Sequence, residues 1–180
     1  MIFSSIFFIF AFLPIVLFLY YITPYRLKNL VLLIVSLIFY AWGEPVYVVL
    51  MIFSILINFV SGIELEHFME NGETQKAKYA CISTVVINLF ILGFYKYYGF
   101  LLDNLNAVLP FEIPYTELAL PIGISFYTFQ TMSYVIDVYR GKVEAQHNLI
   151  TFGAYVSMFP QLIAGPIVRY SDVEQQLMHR

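Results

Sequence analysis

Several long stretches of this chain contain no Asp, Glu, Lys or Arg, among them Met1 to Tyr25, Pro45 to Ile63 and Leu118 to Ile136. Each is long enough to supply the ~17–25 apolar residues that a helix needs to cross a hydrocarbon core. No water reaches backbone N–H and C=O groups at that depth, so the chain must pair them internally, as a helix does. Composition agrees. The chain is 61% hydrophobic and 12% charged, with mean hydropathy +0.79, against ~45–50% and ~25% in soluble domains. The sequence predicts an all-α, polytopic membrane protein whose first partner is the lipid bilayer.

The N-terminal stretch reads as a retained helix rather than a signal peptide. No Lys or Arg precedes Arg26, and no small-residue cleavage pair follows the apolar run. Cys81 is the single cysteine, so it forms no internal disulfide and has no second thiol for a metal site. A net charge of -3 gives no reason to expect a nucleic-acid partner.

Along the chain, a first helix is expected over Phe3–Ile22, stopped by Thr23-Pro24, with Tyr20, Tyr21 and Tyr25 at an interface. A second apolar run covers Leu30–Trp42. Gly43-Glu44-Pro45 turns into a third helix that reaches about Glu70, and Asn71-Gly72 ends it. The fourth carries Ala77–Phe94. Tyr97–Leu109 is short and holds Asp103, Asn104 and Asn106, so a re-entrant or interfacial segment is expected near 97–110. Leu118–Ile136 is expected to span. About five to six spans result.

The last apolar run, from Leu149, is broken by Pro160, Gly165 and Pro166 within FPQLIAGPIVRY (Phe159–Tyr170). Its unbroken part, Leu149–Phe159, would rise only ~16 Å as a helix, half of a ~30 Å core. Loop charge bears on the same point. With the N-terminus extracytoplasmic, Arg26, Lys28, Lys76, Lys78, Arg140 and Lys142 face the cytoplasm and Lys96 faces out. If 149–169 crosses, Arg169 and Arg180 also lie outside; if it turns back, both join the cytoplasmic set, which obeys the rule better. A second re-entrant element is therefore expected over 149–169, with a proline-kinked span as the alternative.

Polar side chains inside apolar segments are expensive and mark functional candidates. Gln130, Ser133, Tyr134 and Asp137 recur at spacings of three or four, and Tyr127 extends the same helix face. The stripe could line a polar path or hold helices together. Asp137 and Arg140, at i and i+3, could pair at a helix end, or Arg140 could meet an anionic group with its planar fork. Arg169 carries the same two readings. Glu64-x-x-His67 has the spacing of di-iron bundles. A second such element is missing from the sequence, so no metal site is expected. His147 and His179 have no apparent nucleophile or ligand beside them.

Two segments, LPIGISFYTFQTMSYVIDVYRG (Leu120–Gly141) and FPQLIAGPIVRY, together with LIFYAWGEP (Leu37–Pro45), resemble the membrane-bound O-acyltransferases. The branch they are most similar to contains the alginate and peptidoglycan O-acetyltransferases. The resemblance implies a partial ring of membrane helices, with short or broken ones forming a thin floor. It implies transfer of acetyl groups from a cytoplasmic donor, acetyl-CoA or an acyl carrier, to an extracytoplasmic polysaccharide, with a partner acetyltransferase and no bound cofactor. The location would be the bacterial inner membrane.

The resemblance also implies that residues 1–180 are the N-terminal part of a single domain. The family's catalytic histidine belongs to a motif that this chain does not contain. His67, His147 and His179 do not match it, so no catalytic residue is assigned, and the segment is expected to be inactive alone. Tyr127, Gln130, Tyr134 and Asp137 are expected along the substrate path, with Arg140, Gln161 and Arg169 on the donor side. The competing reading is a non-enzymatic transporter or export subunit for polysaccharide secretion.

Overall fold

The computed structural model describes residues 5–109, 111, 113–114, 116, 118–165 and 168–178. Pro110, Glu117, Pro166, His179 and Arg180, which enter the sequence expectations, lie outside them. Among the described residues the fold is all helical, with no strand.

A π-helical stretch, Phe8–Phe12, runs without a break into α1 (Leu13–Ile22), which stops before Pro24. A 3-10 turn, Tyr25–Leu27, leads into α2 (Lys28–Gly43). Helix α3 (Val48–Glu70) and α4 (Thr74–Val108) follow as a long antiparallel pair. Then come α5 (Ile124–Tyr139), α6 (Leu149–Ser157), α7 (Phe159–Ala164) and α8 (Tyr170–Met178). Among the described residues, three helical segments are long and apolar enough to cross a membrane: Tyr25–Gly43, Val48–Glu70 and Thr74–Val108.

Two expectations need correction. The segment near 97–110 does not turn back: Tyr97–Val108 simply continues α4, which runs 35 residues and so about 52 Å. No proline interrupts it before Pro110. The Asn104 amide donates to the Phe100 carbonyl (2.6 Å), while Asn106 pairs through both side-chain atoms with the Ile113 backbone (2.8 and 3.2 Å). These polar residues are satisfied on the helix and do not end it. The second correction concerns the apolar run from Leu118, whose helix starts only at Ile124. Gly123 adopts φ 76°, and a Cβ there would stand 3.2 Å from the Leu162 carbonyl oxygen. That left-handed residue, closely approached by α7, sets the start of α5.

Helices α3, α4 and α5 pack mutually, each against the other two, α2 packs on α6, and α1 lies on α2. With lipid on the outside, polar contacts between helices hold such a bundle as much as apolar ones. Asn58 and Asn88 exchange side-chain hydrogen bonds between α3 and α4 (3.1 and 2.9 Å), and Thr84 donates to Ser61 (2.9 Å) one turn away. A second cluster ties the π-helical stretch and α2 to α7 through rings: Phe39 to Phe159 at 5.4 Å between centroids, and Phe12 to Phe159 at 5.6 Å.

Helix α6 begins with Asn148, whose side chain accepts from the backbone N–H groups of Ile150 and Thr151 (2.9 and 3.2 Å). It ends at Met158, where φ -49° and ψ 109° leave the helical region just ahead of Phe159-Pro160. Nine residues rise only about 14 Å. The chain then reverses. Asn29, at the start of α2, donates through Nδ2 both to Thr151 Oγ1 and to the Leu177 carbonyl, each at 3.1 Å. The beginning of α6 and the end of α8 therefore meet at the same end of α2.

Candidate functional site

The face of α5 predicted from spacing is buried: Tyr127, Gln130, Tyr134 and Asp137 are all turned into the bundle. Gln130 and Tyr134, with Ser133 beside them, are hydrogen-bonded to their surroundings. Gln130 Nε2 donates to the Tyr155 carbonyl on α6 (3.1 Å), and Ser133 Oγ donates to the Gln130 carbonyl (2.8 Å). The Tyr134 hydroxyl accepts from the Gln146 backbone N–H (2.9 Å). For Gln130 this is an interhelical hydrogen bond, and for Tyr134 it is a bond from the helix to the following loop.

Asp137 has a different partner from the one its spacing suggested. Lys142 Nζ lies 3.9 Å from its carboxylate, whereas Arg140 is exposed and in no ion pair among the described residues. The reason is the way α5 ends. Gly141 at φ 65° donates to the Val138 carbonyl, and Lys142 N–H donates to the Asp137 carbonyl. This is a Schellman turn, which folds the second residue after the cap back over the last turn. Arg169 is likewise exposed and in no described ion pair. The structure thus gathers Tyr127, Gln130, Tyr134 and Asp137 along one line and leaves both arginines at the surface.

Gln146, on the loop between α5 and α6, is a node that the sequence did not reveal. Its N–H meets Tyr134, its Nε2 donates to the Tyr170 hydroxyl (2.7 Å), and its Oε1 accepts from Asn148 N–H (2.9 Å). Around it, the Tyr170 ring stands nearly perpendicular to those of Tyr134 (5.2 Å) and Tyr155 (5.3 Å), and the Tyr155 hydroxyl donates to the Val168 carbonyl (2.9 Å). Glu66, near the end of α3, holds the same loop. Its two oxygens take the Ala145 N–H (2.9 Å) and His147 Nε2 (2.7 Å). His67 is engaged instead with Asn71. No group of three metal-ligating side chains occurs among the described residues.

At the far end of the stripe the pattern changes. The hydroxyl of Tyr127, the hydroxyl of Tyr40 on α2 and Nε2 of Gln161 on α7 are buried with no hydrogen-bond partner among the described residues. Tyr40, Tyr127 and Leu162, the residue after Gln161, belong to one buried cluster.

A multi-helix membrane bundle with a broken hairpin and a buried polar stripe is a class that many proteins share. Sequence comparison narrows it. The whole chain is 44% identical to a probable alginate O-acetylase of Pseudomonas aeruginosa and 43% identical to one of Azotobacter vinelandii, covering 35% and 36% of those proteins. Over 98% of its length it is 30% identical to a peptidoglycan O-acetyltransferase of Helicobacter pylori, covering 38% of that protein. The chain is thus similar over its whole length to alginate O-acetylases and over nearly all of it to a peptidoglycan O-acetyltransferase. It spans about a third of the length of these relatives. No protein-family model and no solved structure matches it.

Proposed function

We propose that this chain is part of a bacterial inner-membrane O-acetyltransferase that passes acetyl groups from a cytoplasmic donor, acetyl-CoA or an acyl carrier, to an extracytoplasmic polysaccharide. The observation that carries the proposal is the end-to-end alignment with alginate O-acetylases. In this reading the hairpin α6–α8 is re-entrant: it enters from the cytoplasm, turns at α7 and leaves on the same side. The joint grip of Asn29 on Thr151 and Leu177 supports it, as does the cytoplasmic excess of Lys and Arg that it gives. The hairpin supplies part of a thin floor, and the N-terminus is extracytoplasmic. Tyr127, Gln130, Tyr134 and Asp137 line the path, Arg140 and Arg169 stand on the donor side, and Gln161 lies at the turn of the hairpin. Transfer chemistry is assigned to no residue of this chain, and a partner acetyltransferase completes delivery to the polymer.

Deleting the gene in the producing bacterium tests this against the export reading. Normal polymer yield with ester-linked acetate lost is the expected result. Loss of the polymer itself would make the protein an export subunit.

A further inference from the structure

The hairpin turns back at about half the depth of a membrane and leaves a groove beside the turn. Phe159, at the start of α7, packs on Phe39 of α2 at 5.4 Å between ring centroids. Phe39 lies eleven residues along α2 from Lys28, about 16 Å, and a ~30 Å hydrocarbon core gives each leaflet about 15 Å. Here α1, α2, α7 and α8 border an open groove of about 550 Å³, whose walls include Leu13 and Leu17 of α1, Leu32 of α2, and Phe159 and Pro160 of α7. No described residue of α5 lines it, so it is separate from the polar stripe.

The two ends of the groove differ in polarity. Of the described residues that line it, Tyr20 and Gln176 alone carry polar side chains. Both stand at the head of α2. The residue after Gln176 is Leu177, whose carbonyl accepts from Asn29, and Lys28 Nζ lies 4.8 Å from the centre of the Tyr20 ring. That ring covers one side of an ammonium that has three N–H donors to offer. Lys28 is in no ion pair among the described residues, and neither is Arg26, two positions earlier and exposed. From Tyr20 down to Leu13, seven residues along α1, the wall descends about 10 Å with no charged side chain among the described lining. A cationic mouth, an apolar wall below it and a depth of one leaflet fit one molecular shape.

We propose that the groove between α1 and the hairpin binds one anionic phospholipid from the leaflet on the Lys28 side, with its phosphate at Lys28 and an acyl chain running past Tyr20 to Pro160. The phosphodiester supplies the acceptors that meet the ammonium, as headgroups do in basic pockets between membrane helices. A zwitterionic headgroup carries its own cation and gains less from Lys28 and Arg26. The acyl chain covers apolar surface that the short hairpin leaves bare. The site does not depend on the acetyl-transfer reading.

The test is photolabelling of the chain in phosphatidylcholine nanodiscs. One probe is phosphatidylglycerol with a diazirine near the end of an acyl chain, and the other is phosphatidylcholine with the same chain. Adducts are located by proteolysis and mass spectrometry. At about 0.1 M salt, phosphatidylglycerol should label residues 13–17 and 158–160 several-fold more than phosphatidylcholine does, the preference that one or two basic residues confer. Phe90, exposed on α4, should be labelled equally by both, and its signal reports that a variant has folded. Lys28→Gln should bring the groove ratio down to that at Phe90. In the unaltered chain ~1 M salt, which shortens the screening length from ~10 to ~3 Å, should lower it as well. Equal groove labelling by the two probes would make the occupant ordinary boundary lipid. A groove unlabelled by either, with Phe90 labelled, would mean that protein covers it. A preference that survives Lys28→Gln or high salt would place the headgroup elsewhere. Each of these three results overturns the proposal.

Discussion

Asn29 and Leu177 stand 148 positions apart in sequence, yet the side-chain amide of one donates to the backbone carbonyl of the other at 3.1 Å. The same nitrogen reaches Thr151 Oγ1. One side chain at the head of α2 thus gathers both ends of the broken hairpin. Replacing Asn29 by Ala removes both bonds and leaves a carbonyl and a hydroxyl without their partner, a loss of about 1–3 kcal/mol. Hydrogen exchange should show α8 amides opening faster, with α3 and α4 unchanged. Equal exchange in α8 would mean that the hairpin is held elsewhere.

The Asn58–Asn88 pair permits a double-mutant test. Either single change to Leu buries the remaining amide without its reciprocal partner, whereas the double change removes both polar groups from the interface. Each single variant should lose about 1–2 kcal/mol of stability in detergent, with the double variant recovering part of it. Strictly additive losses would show that the two amides do not act as a pair.

Gly62 is where α3 admits the Tyr134 ring. A Cβ at that position would lie 2.5 Å from the Tyr134 hydroxyl oxygen and 2.9 Å from a ring carbon. Gly62→Ala should displace Tyr134, break its bond with Gln146 and cost about 1–3 kcal/mol by overpacking. Tyr134→Phe removes the nearest of the clashing atoms, so the alanine should cost less in that background. Thermal unfolding of the four combinations measures this.

A pH effect follows from Glu174 on α8. Burial, then the nearby Glu144 carboxylate, raises its pKa above the ordinary carboxylate value. The folded protein therefore holds this proton more tightly than the unfolded chain. The resulting stability is complete below the unfolded pKa and is lost as pH rises through the folded one. Glu174→Gln should be the more stable form at about pH 7, and the two should converge near pH 4. The difference should stay under about 1 kcal/mol, because the carboxylate remains partly solvated. Unfolding temperatures across that range give the comparison.

The helices α2 and α3 and the first part of α4, to Phe94, were legible in sequence because charge-free runs and turn signals such as Asn71-Gly72 act locally. The buried face of α5 was legible for the same reason. The start of α5 was not, since Gly123 matters through its contact with Leu162 on a distant helix. The partner of Asp137 was misread because i, i+3 spacing ignores the turn at Gly141, which delivers Lys142 instead. Asn29, Glu66 and Gln146 act across the fold, on partners that only packing brings near. One signal was available and unused. Ser54, Asn58 and Ser61, and Thr84 and Asn88, sit at helical spacing within apolar runs, the pattern by which membrane helices bind one another.

The length of α4 has a consequence for what stands outside the bilayer. Its 35 residues make about 52 Å of continuous helix. Even inclined by ~40°, the upper end of the usual range, it projects ~40 Å along the membrane normal. A hydrocarbon layer of ~30 Å cannot submerge that. At least ~10 Å of α4 therefore rises clear of the apolar layer. It forms a stiff post, which sets how far apart the loops before Thr74 and after Val108 are held.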